Sequence, residues 1–184
     1  MNEKLSCEDF KRVDKLGKIL SNAIPRQLLL QFMKKNNHSD VLMMKKMMSE
    51  IDTKNSITHG TLIASNALMN AFTTNDSFLR DNLDWVAKAT NWNRFSATAS
   101  VGVIHQGNTK DAEEILLPYI NGQGGNSSPY STAGAYYAYG IIHANNYSDE
   151  AKEFLMNGYR NSGNDENIQH GVSLGLGLVS MGTQ

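Results

Sequence analysis

The sequence predicts an all-α fold, an α-solenoid of antiparallel helix pairs preceded by a segment of helical rod. Three observations predict it. From about residue 57 the chain resembles itself at a period of 36 to 38 residues, which marks a stacked repeat. Within each copy apolar residues recur three and four positions apart, as one face of a helix requires. No stretch alternates apolar and polar residues in the manner of a half-buried strand.

Residues 1–56 carry no copy of the repeat and read as the end of a rod. Phe10, Val13, Gly17, Leu20 and Ile24 place one buried stripe on a helix opening near Ser6, with Asp9 completing a capping box. Pro25 breaks the pattern but is tolerated in a first turn, so Leu28, Leu29 and Phe32 fall on a second helix that ends at Asn36-Asn37. Ser39 reads as the cap of a third, whose stripe is Val41, Met44, Met48 and Ile51. The methionines at 43, 44, 47 and 48 read as core packing, and Lys34-Lys35 and Lys45-Lys46 as solvated faces.

Residues 57–184 hold the repeats, the last of them truncated. Ala97–His105 aligns with Ala135–His143, which sets Gly102 on Gly140 at a shift of 38, and Val172–Val179 continues the frame with Gly177 on Gly140 at a shift of 37. His59-Gly60 and His170-Gly171 stand 111 residues apart, three periods of 37. Four copies of one small-residue helix therefore begin near residues 59, 95, 133 and 170. Between them lie amphipathic helices: Ala112, Ile115, Leu116 and Tyr119 behind Thr109, then Ala151, Phe154, Leu155 and Gly158 behind Ser148. The loops Asn121 to Pro129 and Asn161 to Asp165 are rich in turn-forming residues. Gly60, Gly102, Gly140, Gly171, Gly175 and Gly177 are the candidate site residues, as packing contacts where helices approach closely. The first copy has Asn66 where later ones have Gly102, Gly140 and Gly177.

Charge and composition exclude several classes. With 17 Lys+Arg against 18 Asp+Glu, no basic face is available for nucleic acid or an acidic membrane. No run approaches the roughly 18 apolar residues of a membrane span, and the start of the chain lacks a secretory h-region. The single Cys7 fits a reducing compartment, so the expected localisation is cytoplasmic and nuclear. Five histidines invite a metal, but His105 and His143 share one register of successive helices, near C-termini where a cation complements the helix dipole. His59 and His170 open their helices three repeats apart. There is no HExxH and no Gly-x-Ser-x-Gly, Gly175-Leu176-Gly177 lacks the third glycine of a dinucleotide fingerprint, and Cys7 has no identifiable base. No metal, cofactor or catalytic residue is assigned, and the chain does not read as an enzyme.

A period of 36 to 38 with Gly and Ala at fixed helical positions resembles the proteasome/cyclosome repeat. Phe78 to Trp92, then Phe95 to His105, is similar to the large repeat-bearing non-ATPase subunits of the proteasome regulatory particle. Gly140 to Asn145, His170 to Leu178 and Asn36 to Asp40 share the likeness. The resemblance implies a fragment of a non-catalytic scaffold in ubiquitin-dependent degradation, whose repeats curl into a closed toroid. It implies contacts with other regulatory-particle subunits: the ATPase ring, the lid and, in the full-length protein, a ubiquitin receptor and a deubiquitinase. The receptor-binding segment of the family lies outside this sequence. Two alternatives stay open, a recognition module for ubiquitin or ubiquitin-like domains, and the repeat region of the largest anaphase-promoting subunit. Because Leu174, Leu176 and Leu178 have no following helix to cover them, the isolated chain is expected to self-associate non-physiologically through its last helix, or to fold that helix onto its own groove.

Overall fold

The computed structural model describes residues 7–121 and 128–181. The cap expected at Ser6 and most of the Gly-rich loop, 122–127, lie outside the described residues. Among those residues there are eleven helices and no strand: α1 (Cys7–Leu20), α2 (Ala23–Lys35), α3 (Val41–Glu50), α4 (Ser56–Met69), α5 (Ser77–Asp81), α6 (Leu83–Val86), α7 (Asn91–Ile104), α8 (Ala112–Ile120), α9 (Pro129–Ile142), α10 (Asp149–Asn161) and α11 (Glu166–Val179).

The four small-residue helices are α4, α7, α9 and α11, and they begin three or four residues before the apolar pattern does. Their first turns are polar, as in Asn91-Trp92-Asn93-Arg94 and Glu166-Asn167, so periodicity is silent there while capping is not. Asn55 accepts from the backbone N–H groups of Ile57 and Thr58, and Asp165 from those of Asn167 and Ile168. Ser148 caps α10 as expected, through the N–H of Ala151. Two caps differ from expectation. Asp40, not Ser39, caps α3, since its carboxylate reaches the N–H groups of Leu42 and Met43. α8 begins at Ala112, two residues beyond the position that a Thr109 cap would give.

The dominant seams join like helices of successive repeats. Thr98 of α7 meets Ser131 of α9 with their hydroxyls 3.3 Å apart, and further along Gly102 meets Ala138, so the two helices run parallel. α9 and α11 repeat the arrangement, with Ala133 beside Gly171 and Gly140 beside Gly175. α10 lies antiparallel across α9: the Tyr136 ring abuts Gly158, and Tyr139 stacks on Phe154 at 4.3 Å. The expectation that helices pack antiparallel in sequence order thus covers only half of the packing. The residues without bulk face the parallel neighbour one repeat away.

The turns after α4 and α7 also clamp the next of these four inner helices. Phe72 and Thr74 donate their N–H groups to the carbonyls of Val103 and Ile104, and Gly107 donates to Ile142. Carbonyls in a last helical turn have no partner inside their own helix, so these bonds satisfy them and fix the spacing of the repeats. Phe72, Thr74 and Gly107 all take positive φ, at 63°, 60° and 83°.

Ile104, Ile142 and Val179 hold corresponding places on α7, α9 and α11 and are fully buried, as are Ile63 on α4 and Leu116 and Leu155 on α8 and α10. Each such aliphatic side chain contributes about 1.5–3 kcal/mol by leaving water. The N-terminal helices differ from expectation. Asn22, at φ 63°, ends α1 and puts Ile24 on α2, and no residue of either helix is buried. Phe10 is 68% exposed and Leu20 77%, so the expected stripe is covered by nothing in the described chain. On α3 Met44 is buried and Met48 packs against the core, whereas Met43 and Met47 face solvent.

Candidate inter-repeat interface

Small residues make the seams, and the geometry at each glycine shows how tightly. A Cβ added to Gly102 would stand 2.6 Å from the Cα and carbonyl O of Ala138. At Gly140 it would strike the backbone of Gly175, at Gly171 the carbonyl of Ala133, and at Gly175 the carbonyl of Tyr136 at 2.7 Å. Backbone cannot yield as a flexible side chain can, so these four positions admit only glycine at the present helix spacing. Gly60 is looser, because the atoms in its way belong to the Asn93 side chain. Gly177 differs from the sequence reading: nothing lies within 4 Å, because it sits on the face of α11 turned away from α9 and α10. Gly134 was missed, although a Cβ there would stand 2.5 Å from the Phe95 carbonyl. The signal was present, since Gly134 falls one 37-residue period before Gly171. Asn66, the first-copy counterpart of Gly102, is buried and accepts from the Asn70 amide, so a polar contact stands where later copies have a bare backbone.

Three of the five histidines are buried, each in its own setting. His59 is fully buried, and its Nε2–H donates to the Trp85 carbonyl at 3.0 Å, which leaves Nδ1 to accept from the Asn93 amide at 3.4 Å. His105 donates to the Asp76 carboxylate at 3.2 Å, and Arg80 donates to the same group. Burial pushes the Asp76 carboxyl up, but the hydrogen bonds and positive charge of His105 and Arg80 outweigh it and hold it below the ordinary carboxylate value. Asp76 ties the linker ahead of α5 to the end of α7.

His143 has no such partner. Both of its ring nitrogens are buried without a hydrogen bond, and the ring stacks on Tyr139 at 4.5 Å. Burial first, and the nearby Arg26 guanidinium second, push it down to about 4. It is therefore neutral near pH 7 and does not complement the α9 dipole as a cation, contrary to the sequence reading. A pH dependence follows. An unfolded histidine titrates near 6.5, so between that value and about 4 the unfolded chain holds a proton that folded His143 does not. Stability is expected to fall as pH drops through this window, and His143→Gln to flatten the decline. Urea midpoints at pH 7 and pH 5 check it; equal slopes in parent and variant would remove His143 as the cause.

Among the described residues no group of three or more His, Cys, Asp or Glu could hold a metal ion, and no helix is long and apolar enough to cross a membrane. Cys7 is exposed at the start of α1. The arrangement offers a floor of parallel helices, an outer layer, and rims where helices begin and end.

No family model matches the chain. Among curated proteins it is 47% identical over 175 residues to the 26S proteasome non-ATPase regulatory subunit 1 homolog A of Arabidopsis thaliana, a match covering 94% of this chain and 17% of that protein. It is 43% identical over 173 residues to the 26S proteasome non-ATPase regulatory subunit 1 of Drosophila melanogaster, again 94% of this chain and 17% of the relative. To the 26S proteasome regulatory subunit rpn2 of Schizosaccharomyces pombe it is 38% identical over 178 residues, 96% of this chain and 18% of the relative. The chain spans less than a fifth of the length of the curated relatives it matches.

Proposed function

We propose that this chain, a homologue of one segment of the 26S proteasome non-ATPase regulatory subunit 1, is part of a non-catalytic scaffold of the proteasome regulatory particle. The observation that carries this reading is the breadth of the match: up to 47% identity along 94% of the chain. The structure supports it physically. Stacked helices bury their apolar faces against neighbouring repeats and leave long outer surfaces to other proteins, which suits a platform. The relatives are named as non-ATPase regulatory subunits, in keeping with a role in arrangement rather than chemistry. The partners on this reading are other subunits of the particle, the ATPase ring and the lid among them. The place of action is the cytoplasm and nucleus, where an exposed free thiol such as Cys7 stays reduced.

The test is replacement. The corresponding segment of a curated relative is exchanged for this chain, and assembled particles are resolved on a native gel. Regulatory particles that form and cap the proteolytic core are the expected result. A chimaera that keeps its helical circular dichroism yet enters no particle overturns the proposal.

A further inference from the structure

The N-terminal ends of α7, α9 and α11 carry a cluster of rings at the solvent boundary. Trp92 on α7 is 49% exposed. Its ring centre lies 5.4 Å from those of Phe95, Tyr130 and His170, each in edge-to-face geometry. Phe95 in turn stacks on Tyr137 at 5.6 Å. The contact with His170 spans two repeats, from α7 across α9 to α11. α9 packs against both of those helices, with Gly134 beside Phe95 of α7 and Ala133 beside Gly171 of α11. Three successive repeats thus contribute to one surface, and neighbouring rings hold the exposed tryptophan in place.

Beside that surface is an open depression of about 500 Å³, lined by Trp92, Glu166, Asn167 and His170. Glu166 is exposed, and its carboxylate forms no ion pair among the described residues. Arg94, the cation nearest in sequence to Trp92, is engaged elsewhere, donating to the carbonyls of Ala87 and Ala89. The lining therefore offers a half-exposed indole, the imidazole of His170, an amide and a carboxylate that forms no ion pair among the described residues. The face of an indole carries negative potential and attracts a cation set over it. A carboxylate alongside completes a receptor for positive charge, and it repels the phosphates of nucleic acid or an acidic membrane surface. Rings already held by one another lose little freedom on binding, which is why tryptophan and tyrosine anchor protein interfaces.

We infer that the depression between Trp92 and Glu166 is a docking site for a lysine or arginine side chain of a partner protein, with the cation over the indole face and paired to the carboxylate. The inference rests on the scaffold reading only in taking the occupant to belong to a protein; the site's charge and shape stand without it.

The test uses the 184-residue chain and two short peptides, acetyl-Gly-Arg-Gly-amide and its citrulline counterpart, which has nearly the same shape and no charge. The chain has two tryptophans, and Trp85 is buried, so its indole N–H resonance serves as the internal control. The arginine peptide is expected to shift the Trp92 indole resonance and not that of Trp85. The citrulline peptide should bind about threefold to tenfold more weakly, the range that a partly desolvated cation–ring contact gives. Glu166→Gln should weaken arginine binding by a similar factor, and Trp92→Leu should abolish it with the helical signal retained. Should Trp92→Leu unfold the chain, Glu166→Gln and the citrulline comparison decide the matter alone. An unmoved Trp92 resonance, equal binding of the two peptides, or full affinity in Glu166→Gln overturns the inference. Particle assembly by the chimaera is a separate readout, so a chain that assembles but ignores arginine sinks only the docking site, and one that binds arginine but fails to assemble sinks only the scaffold.

Discussion

Gly140→Leu is expected to destabilise the fold by about 3 kcal/mol, the upper end of what overpacking costs. A Cβ on Gly140 already collides with the backbone of Gly175, and a full isobutyl group has no route out between two parallel helices. Leucine recovers up to about 1 kcal/mol of helix propensity over glycine, which is too little to offset the clash. The unfolding temperature should drop by roughly 6 to 12 °C for a chain of this length. Gly177→Leu is the matched control. It sits in open space on the same kind of helix, so the propensity gain should leave it neutral or slightly more stable. Thermal melts of the two variants beside the parent check both. Equal loss in both would show that the penalty does not come from the close approach of α9 and α11, and no loss in Gly140→Leu would dissolve the seam between them.

Phe78→Ala is expected to cost about 3 to 5 kcal/mol, the usual range for emptying an aromatic site. Phe78 is 2% exposed and meets Trp85 edge-to-face at 6.3 Å. Trp85 in turn packs on His59 at 4.2 Å and accepts its hydrogen bond. α5 and α6 have only five and four residues, far below the length at which a helix holds itself together. Their order therefore depends on this aromatic chain. Hydrogen exchange should show residues 77–86 losing protection before α7 and α9 do, alongside a lower urea midpoint. A loss under about 1 kcal/mol would place the anchor of the first repeat elsewhere.

The sequence by itself determined the repeat, its helical content and the identity of the small-residue helices. Gly, Ala and hydroxyl residues return at a fixed period only where backbones must approach at the same place in each copy, and that regularity survives in one dimension. The cap at Ser148 and the buried faces of α8 and α10 were legible for the same reason, since capping and amphipathic spacing act within a few residues. Tertiary structure alone decided which face each small residue serves. Gly140 and Gly177 occupy one register, yet one meets a backbone and the other meets open space, because a seam depends on the neighbour as well as on the residue. It also decided that His143 is neutral and without a hydrogen bond where His105 donates to a carboxylate, since Asp76 reaches one helix end and Arg26 the other. The first helix shows the same limit from the opposite side. The apolar stripe of α1 is real as a pattern, but burial is a property of two surfaces, and within the described chain the second is absent. Trp92 and His170 lie far apart in sequence and meet because α7 and α11 both pack on α9, against Gly134 and Ala133.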